Sequence, residues 1–388
     1  MKNIIIGLFI VLNLHAQTYE ELLKQAIQHS AELKIVQSQQ KELMLQGEID
    51  IRLENPNLEL EVADFSSSFL TKSNEFGARV GISQSILLPH IKEDKQSITT
   101  RECNVEKERY SVKKSEFIYK FNLKYLAYIK SIKKLELHKK IVNISANLLD
   151  VVRQRYKKGA IAKSEFLEAK LKHQEILTQL EVLEFERIKL KNMLLTFASL
   201  PNTTSIEGIH VFHPFTLENT HPLVKLNRAK KSVSQAKLEL LKHSVEQVEV
   251  FSELEREPEQ DIFRIGISLD LPTFNIHNEE KQLEKIKISN HQILIAQQER
   301  AVKLKVEQLK NEQLNLEKLK ENYNFSILEQ KELFEMYKAS YTLAKVNLLK
   351  LQKTLQSIIK IEKKLLENSF SMKENVIKIN YLQGAYNE

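Results

Sequence analysis

Alternation of apolar and polar residues marks four short segments of the chain as β-strands, although Phe251 and Ser252 blur the two faces of the third. In Leu58-Glu59-Leu60-Glu61-Val62, for example, every second residue is aliphatic and the residues between are acidic. Successive side chains of a strand point to opposite faces, so each segment is predicted to have an apolar face and a polar face. The predicted strands cover about residues 56–65, 75–87, 248–255 and 261–271.

Two of these strands have nearly the same sequence. Arg79-Val80-Gly81-Ile82-Ser83 reappears as Arg264-Ile265-Gly266-Ile267-Ser268, and both copies are followed by a proline, Pro89 or Pro272. A second landmark, Tyr156-x-x-Gly159, returns as Tyr341-x-x-Ala344. The step from Arg79 to Arg264 is the same as the step from Tyr156 to Tyr341. One offset shared by separate landmarks predicts an internal duplication.

Apolar residues at helical spacing predict that most of the remaining chain is α-helix. The predicted helices cover residues 18–48, 90–158, 160–200, 221–246, 276–343 and 345–383. Thr18 and Glu21 have the spacing of a capping box at the start of the first helix. The helix 90–158 carries two apolar stripes side by side, which indicates helical neighbours on two sides. Each repeat is therefore predicted to combine a long helical hairpin with a two-stranded β-hairpin.

Composition agrees with long helices and limits the classes of function. The chain has 388 residues with only 8 Gly and 7 Pro, and its net charge of +7 is distributed among glutamates along the helices. That pattern gives no support to a nucleic-acid partner. Lys2 and the apolar stretch of residues 4–14 predict a signal peptide over residues 1–16, with cleavage after Ala16. Cys103 is the single cysteine, so no intrachain disulfide can form.

The predicted domain organisation follows from the duplication. Residues 17–200 form the first repeat, residues 201–220 a linker and residues 221–388 the second repeat. No nucleophile constellation, phosphate loop or cofactor fingerprint is present, so we predict a protein that is not an enzyme and needs no cofactor. His210-x-x-His213 with His221 is the one cluster that looks like a metal site, but its loose spacing favours ordinary linker residues.

The order of these features resembles that of the TolC-like outer-membrane efflux proteins. The resemblance rests on the signal peptide, the duplication, Asn55-Pro56-x-Leu58 before the first strand, the paired Arg-x-Gly-x-Ser strands and the Tyr156-x-x-Gly159 tip. It implies a mainly α fold with a small β part, in which a homotrimer builds an α-barrel and a twelve-stranded transmembrane β-barrel. The few insertions are similar to the CzcC-like heavy-metal efflux subgroup.

The resemblance also implies a role and partners. Proteins of this family are passive exit ducts in the outer membrane, joined through a periplasmic adaptor protein to an inner-membrane pump, here expected to be of the RND type. The substrate class stays open between metal ions, drugs and polypeptides. Physical reasoning favours assembly too, because four strands alone leave two open edges that cannot face lipid.

Within this interpretation the strand residues and the tips receive roles. The side chains expected to face lipid are Leu58, Leu60, Val62, Val80, Ile82, Val248, Val250, Leu254, Ile265, Ile267 and Leu269. Those expected to face the barrel lumen are Glu59, Glu61, Arg79, Ser83, Glu249, Glu253, Arg264, Ser268 and Asp270. The periplasmic tip and gate are expected at Tyr156, Gly159, Glu165, Glu168, Tyr341, Ala344, Lys350 and Lys353.

The tip departs from the family in its charges. Positions where the second repeat of family members often carries carboxylates hold Lys350 and Lys353, whose first-repeat counterparts are Glu165 and Glu168. We hypothesise that ion pairs between these groups hold the tip closed, with four solvated surface charges as the alternative. Two other functions stay open: a periplasmic adaptor, which would need β-rich domains beside one hairpin, and a coiled-coil structural or chaperone protein.

Overall fold

The computed structural model describes residues 17–64, 76–215, 220–257, 260–273, 276–343 and 345–386. These residues form long helices and one small sheet, as the sequence predicts. The elements, in chain order, are α1 (Tyr19–His29), α2 (Ala31–Asp50), β1 (Asn57–Asp64), β2 (Phe76–Leu87), α3 (Pro89–Lys157), α4 (Lys163–Phe197), α5 (Pro222–Leu240), β3 (Gln247–Arg256), β4 (Asp261–Ser268), α6 (Asn278–Thr342) and α7 (Leu348–Leu382).

Three predicted elements differ in extent from the structure. The capping box of Thr18 and Glu21 is present, but the helix predicted over residues 18–48 is interrupted at Ser30. Ser30 has an extended backbone, and its hydroxyl accepts a hydrogen bond from the Leu33 N–H, so it ends one helix and begins the next. Helix α5 ends at Leu240 rather than at residue 246. Strand β4 ends at Ser268, which is opposite Glu249, rather than at residue 271.

The ends of the helices repeat with the offset of the predicted duplication. Helices α4 and α7 have 35 residues each, and their first residues, Lys163 and Leu348, are separated by the same step as Arg79 and Arg264. Both are followed by a left-handed residue, Ser199 with φ 56° and Gly384 with φ 73°. The backbone of the two copies therefore matches even where the residue types differ.

The chain divides into two compact units, and each contains residues of both predicted repeats. One unit comprises Met1–Leu33, Lys113–His221 and Ala301–Glu388, and the other comprises Lys34–Val112 and Pro222–Arg300. The two units reflect which residues pack together, whereas the repeats reflect which segments have similar sequences. The boundaries of the repeats therefore stay a prediction.

The first unit has an aromatic core between α1, α3 and the linker. Tyr19 contacts Tyr125 edge to face, with ring centroids 5.0 Å apart, and its hydroxyl donates to Asn122 Oδ1 at 2.5 Å. Burial raises the pKa of Tyr19. The linker is bonded to this core, because the Gln17 N–H donates to the Ser205 carbonyl at 3.0 Å and the His210 N–H donates to the Tyr125 hydroxyl at 3.2 Å.

The second unit is packed tightly where α2 meets α3. A Cβ atom placed on Gly47 would lie 2.2 Å from Thr99 Cγ2, so only glycine permits this approach. The same unit contains the four-stranded sheet described below. None of the described helices has a stretch long and apolar enough to cross a membrane.

Candidate functional site: a two-faced sheet and two helix tips

The four strands form one antiparallel sheet in the order β1-β2-β3-β4. The ladder places Leu60 opposite Val80, and Val80 in turn opposite Leu254. Because directly opposed residues point to the same side, these pairs define an apolar face. That face carries exposed aliphatic and aromatic residues on every strand: Leu58, Leu60, Val62, Val80, Ile82, Val250, Leu254, Phe263, Ile265 and Ile267.

The apolar face exposes large hydrophobic side chains on all four neighbouring strands. Leu60 is 69% exposed, Val62 76% and Ile265 73%. Monomeric soluble proteins rarely expose a contiguous apolar patch larger than a few hundred square ångströms. The face is therefore suited to contact with lipid or with another apolar surface. Val248 shares it opposite Ile86. Leu269 lies one residue beyond the end of β4 and is also exposed.

The opposite face of the sheet is polar and charged. The ladder places there all but one of the residues that the sequence assigned to the lumen: Glu59, Glu61, Arg79, Ser83, Glu249, Glu253, Arg264 and Ser268. Asp270 is the exception, because β4 ends before it. The prediction of a strand reaching residue 271 is therefore wrong.

Two arginines join the four strands through ion pairs on this polar face. Arg79 on β2 lies 3.4 Å from a carboxylate oxygen of Glu61, 2.9 Å from Glu253 and 3.5 Å from Glu255. Arg264 on β4 pairs with Glu253 at 2.7 Å and also contacts Glu255. Two cations thus share three carboxylates, and the ion pairs reach from β1 to β4. The network links all four strands and carries one excess negative charge.

Sequence reasoning missed Glu255 as a member of this network. The alternation Glu249, Phe251, Glu253, Glu255 would have placed it on the polar face, but Phe251 and Ser252 obscured the pattern. The structure resolves the ambiguity, because Phe251 is on the polar face opposite Gly266 and Ser252 is on the apolar face opposite Ile265.

Phe251 lies directly over Gly266, and the two fit only because the glycine lacks a side chain. A Cβ atom on Gly266 would be 2.6 Å from Cζ of the Phe251 ring. The corresponding glycine of the other hairpin, Gly81, has open space, with its nearest neighbour, Glu59 Cβ, at 3.8 Å. The polar face therefore carries one aromatic ring among its charges.

The two helix tips share one backbone hydrogen bond at equivalent positions. At the first tip Gly159 has φ +68°, and the Ala160 N–H donates to the Arg155 carbonyl at 2.9 Å. At the second tip the equivalent hydrogen bond runs from the Lys345 N–H to the Ser340 carbonyl, at 3.0 Å. Ala344, the predicted counterpart of Gly159, lies outside the described residues.

Arg155 links the first tip to the second. Its Nη1 donates to the Tyr341 carbonyl at 2.8 Å, and its guanidinium carbon lies 4.2 Å from the centroid of the Tyr341 ring. Tyr341 is only 1% exposed, and burial raises its pKa. Tyr156 stacks on Phe166, with ring centroids 5.2 Å apart. The sequence pointed to both tyrosines but not to Arg155, whose position in the second repeat is occupied by Ser340.

The charged residues predicted at the tips do not pair with one another within the chain. Glu165 is half-buried, whereas Glu168, Lys350 and Lys353 are exposed. Among the ion pairs of the described residues, none joins these glutamates to these lysines. At the second tip, the Lys350 N–H donates a hydrogen bond to the Asn347 side chain, which caps α7.

The linker histidines are used in packing. His210 stacks on Tyr19 with centroids 3.8 Å apart, and its Nδ1 lies 3.2 Å from a carboxylate oxygen of Glu20. The His213 carbonyl accepts a hydrogen bond from Asn380 Nδ2, and burial lowers the pKa of His221. The described part of the chain contains no group of three or more His, Cys, Asp or Glu side chains placed to hold a metal ion.

Comparison with solved structures shows which fold this is. CusC matches with a TM-score of 0.77 and 11% identity, covering 94% of this chain and 91% of the CusC chain. The outer-membrane channel OprN gives 0.78 and 9%, covering 95% and 90%. The outer membrane protein VceC from Vibrio cholerae gives 0.75 and 12%, covering 94% and 95%.

These likenesses confirm the TolC-like fold expected from the sequence, over nearly the whole length of the chain. The structural similarity establishes the fold, and at identities of 11% and 9% it establishes nothing finer. They do not support the CzcC-like subgroup in particular. No protein-family model and no curated protein sequence matches the chain.

Proposed function

We propose that this chain is an outer-membrane exit duct of a tripartite efflux system, passing substrates passively from an inner-membrane pump through a periplasmic adaptor to the outside. The observation that carries the proposal is the two-faced sheet. One face exposes aliphatic side chains on all four strands, and the other presents an Arg–Glu network. That arrangement suits strands with lipid on one side and water on the other.

The proposal includes a homotrimer. The four strands leave two open edges, and a lipid-facing sheet must satisfy every backbone N–H and C=O group. Three copies would supply twelve strands, the number that the resemblance implies. The likeness in fold to the outer-membrane channel OprN and to CusC, which forms a transmembrane channel, supports a channel role for such an assembly.

The helix tips are proposed as the periplasmic entrance. The contact of Arg155 with Tyr341 joins the tips of the two hairpins within one chain, so it can hold the entrance closed until an adaptor engages. The pump, which we take to be of the RND type, would supply the energy. Nothing in this role requires catalysis, a cofactor or a nucleic acid.

Fractionation and conductance measurements test the function directly. We expect the protein in the outer-membrane fraction as a trimer, and we expect purified trimers to conduct ions across planar bilayers. A soluble monomer in the periplasm would contradict the proposal and favour a structural or chaperone protein.

Two neighbouring residues of β1 offer a matched test of the sheet faces. Leu60→Lys places a charge on the apolar face and is expected to lower the amount of membrane-inserted trimer, since lysine near the bilayer midplane costs about 2–4 kcal/mol. Glu59→Lys changes the charge on the other face, and we expect normal trimer levels with altered ion selectivity. Equal effects of the two substitutions on trimer level would argue against lipid on the Leu60 side.

A further inference from the structure

Strands β1 and β4 are the outer strands of the sheet, and each has one edge without a neighbouring strand among the described residues. Such an edge carries unpaired backbone donors and acceptors and is a template for pairing with another chain. The internal duplication allows the pairing of these edges to be worked out residue by residue.

The two β-hairpins have the same register. Glu61 is opposite Arg79 in the first hairpin, and Glu253 is opposite Arg264 in the second. The step from Glu61 to Glu253 is seven positions longer than the step from Arg79 to Arg264. This difference is accounted for by the connections, which have eleven residues (65–75) in the first hairpin and four (257–260) in the second. Each residue of one hairpin therefore has a known equivalent in the other.

The ion pairs obey this equivalence within the hairpins. The pair of Arg79 with Glu61, at 3.4 Å, corresponds to the pair of Arg264 with Glu253, at 2.7 Å. A third pair, Arg79 with Glu253 at 2.9 Å, crosses from the first hairpin to the second. Its equivalent would join Arg264 to Glu61. Within one chain these two residues are on opposite outer strands, so this pair requires a second copy.

We propose that β4 of one copy pairs antiparallel with β1 of the next copy in the register that β2 and β3 have within the chain. In this arrangement Arg264 contacts Glu61 of the neighbouring copy. The register within the chain, Ser83 opposite Phe251 and Val80 opposite Leu254, translates directly. The resulting opposed pairs between copies are Ser268 with Glu59, Ile267 with Leu60, Gly266 with Glu61, and Ile265 with Val62.

The chemistry of the two edges supports this register. Both apolar pairs bring together side chains that are at least 67% exposed in the single chain. Glu61 is 53% exposed and has one described ion-pair partner, at 3.4 Å, so its carboxylate has room for a second guanidinium. When every copy makes this contact, alternating arginines and glutamates form a closed ring on the polar face. The inference rests on the proposed function, which supplies the number of copies.

Disulfide trapping tests the register. In a Cys103→Ser background, Glu59→Cys with Ser268→Cys is expected to give oxidised bands of two and three linked chains on a non-reducing gel. The matched control, Ser83→Cys with Phe251→Cys, has the equivalent geometry inside one chain and is expected to give a disulfide-linked monomer.

Two further cysteine pairs test whether the experiment distinguishes the proposed register from a shifted one. Asn57→Cys or Glu61→Cys, each combined with Ser268→Cys, corresponds to a slip of two residues. Such a slip displaces the partner by about 6–7 Å along the strand. The Cα atoms then lie beyond the roughly 4.4–6.8 Å range of disulfides, so we expect cross-linking at least about fivefold slower.

The outcomes separate the register from the function. The register is overturned if native mass spectrometry shows a trimer and either shifted pair cross-links faster than Glu59→Cys with Ser268→Cys. It is also overturned if the trimer is present and the control pair oxidises, but Glu59→Cys with Ser268→Cys does not cross-link. A monomer in that measurement would overturn the proposed trimeric duct, and the register with it.

Discussion

Removing the Arg155 side chain is the sharpest test of how the helix tips are held together. Arg155→Ala deletes the hydrogen bond to the Tyr341 carbonyl and the contact with the Tyr341 ring. A hydrogen bond from a charged donor contributes about 1.5–3 kcal/mol. A cation–π contact adds about 0.5–1 kcal/mol at a partly exposed site.

These contributions overlap, because one side chain makes both, so we take about 2–3 kcal/mol for the substitution. If the contacts exist only in the closed tip, their loss shifts the closed-to-open equilibrium by about 30- to 150-fold in each chain. We therefore expect Arg155→Ala trimers in planar bilayers to show a higher open probability and a larger mean conductance than the unaltered protein.

Two control variants isolate the contact. Arg153 is on the same helix two residues earlier and pairs with Asp150 at 2.7 Å, with both side chains well exposed. Exposed pairs contribute about 0–1 kcal/mol, so Arg153→Ala is expected to leave conductance unchanged. Tyr341→Phe removes only the hydroxyl and keeps the carbonyl and the ring that Arg155 contacts, so it should change conductance far less than Arg155→Ala. Unchanged conductance of a stable Arg155→Ala trimer, or equal opening by Arg153→Ala, would refute the reasoning.

Three further predictions concern packing. Gly47→Ala should lower the melting temperature, measured by circular dichroism, because overpacking against Thr99 costs about 1–3 kcal/mol and outweighs the better helix propensity of alanine. Adding Thr99→Ala to the same chain should recover part of the lost stability. Gly266→Ala should lower the temperature at which the trimer dissociates on a gel, because the added Cβ meets the Phe251 ring. Gly81→Ala should leave that temperature unchanged, and equal effects of the two substitutions would contradict the explanation. Asn380→Ala removes hydrogen bonds of 2.9 and 2.8 Å to the linker backbone and should speed proteolytic cleavage near residues 213–215; an unchanged cleavage rate would show that other contacts hold the linker.

Features that depend on local sequence were predicted closely. Strand β1 was expected over about residues 56–65 and covers Asn57–Asp64, and the long helix expected over 90–158 is Pro89–Lys157. Alternation and long runs without glycine or proline are properties of the segment itself, so they can be read from neighbouring residues. The common offset of the two copies was equally accessible, since it needs only the comparison of the chain with itself.

Features that depend on distant partners could not be predicted. Phe251 is on the polar face because Gly266, in another strand, leaves space for its ring. Arg155 contributes to the tips because the Tyr341 carbonyl lies within reach of it, although the two residues are far apart in the sequence. The interruption at Ser30 also escaped prediction, since serine is common inside helices and its role as a cap depends on the backbone of its neighbours.

The shared register of the two β-hairpins bears on how such a chain arose. A polypeptide of half this length, with one hairpin and one helix pair, would carry both edges needed to pair with a further copy of itself. In the proposed assembly three chains close a ring of strands, and six chains of half the length could close the same ring. Fusion of two genes would then have halved the number of subunits without altering any strand pairing. The seven extra residues between β1 and β2 could have been gained or lost afterwards, because a change there does not disturb the ladder.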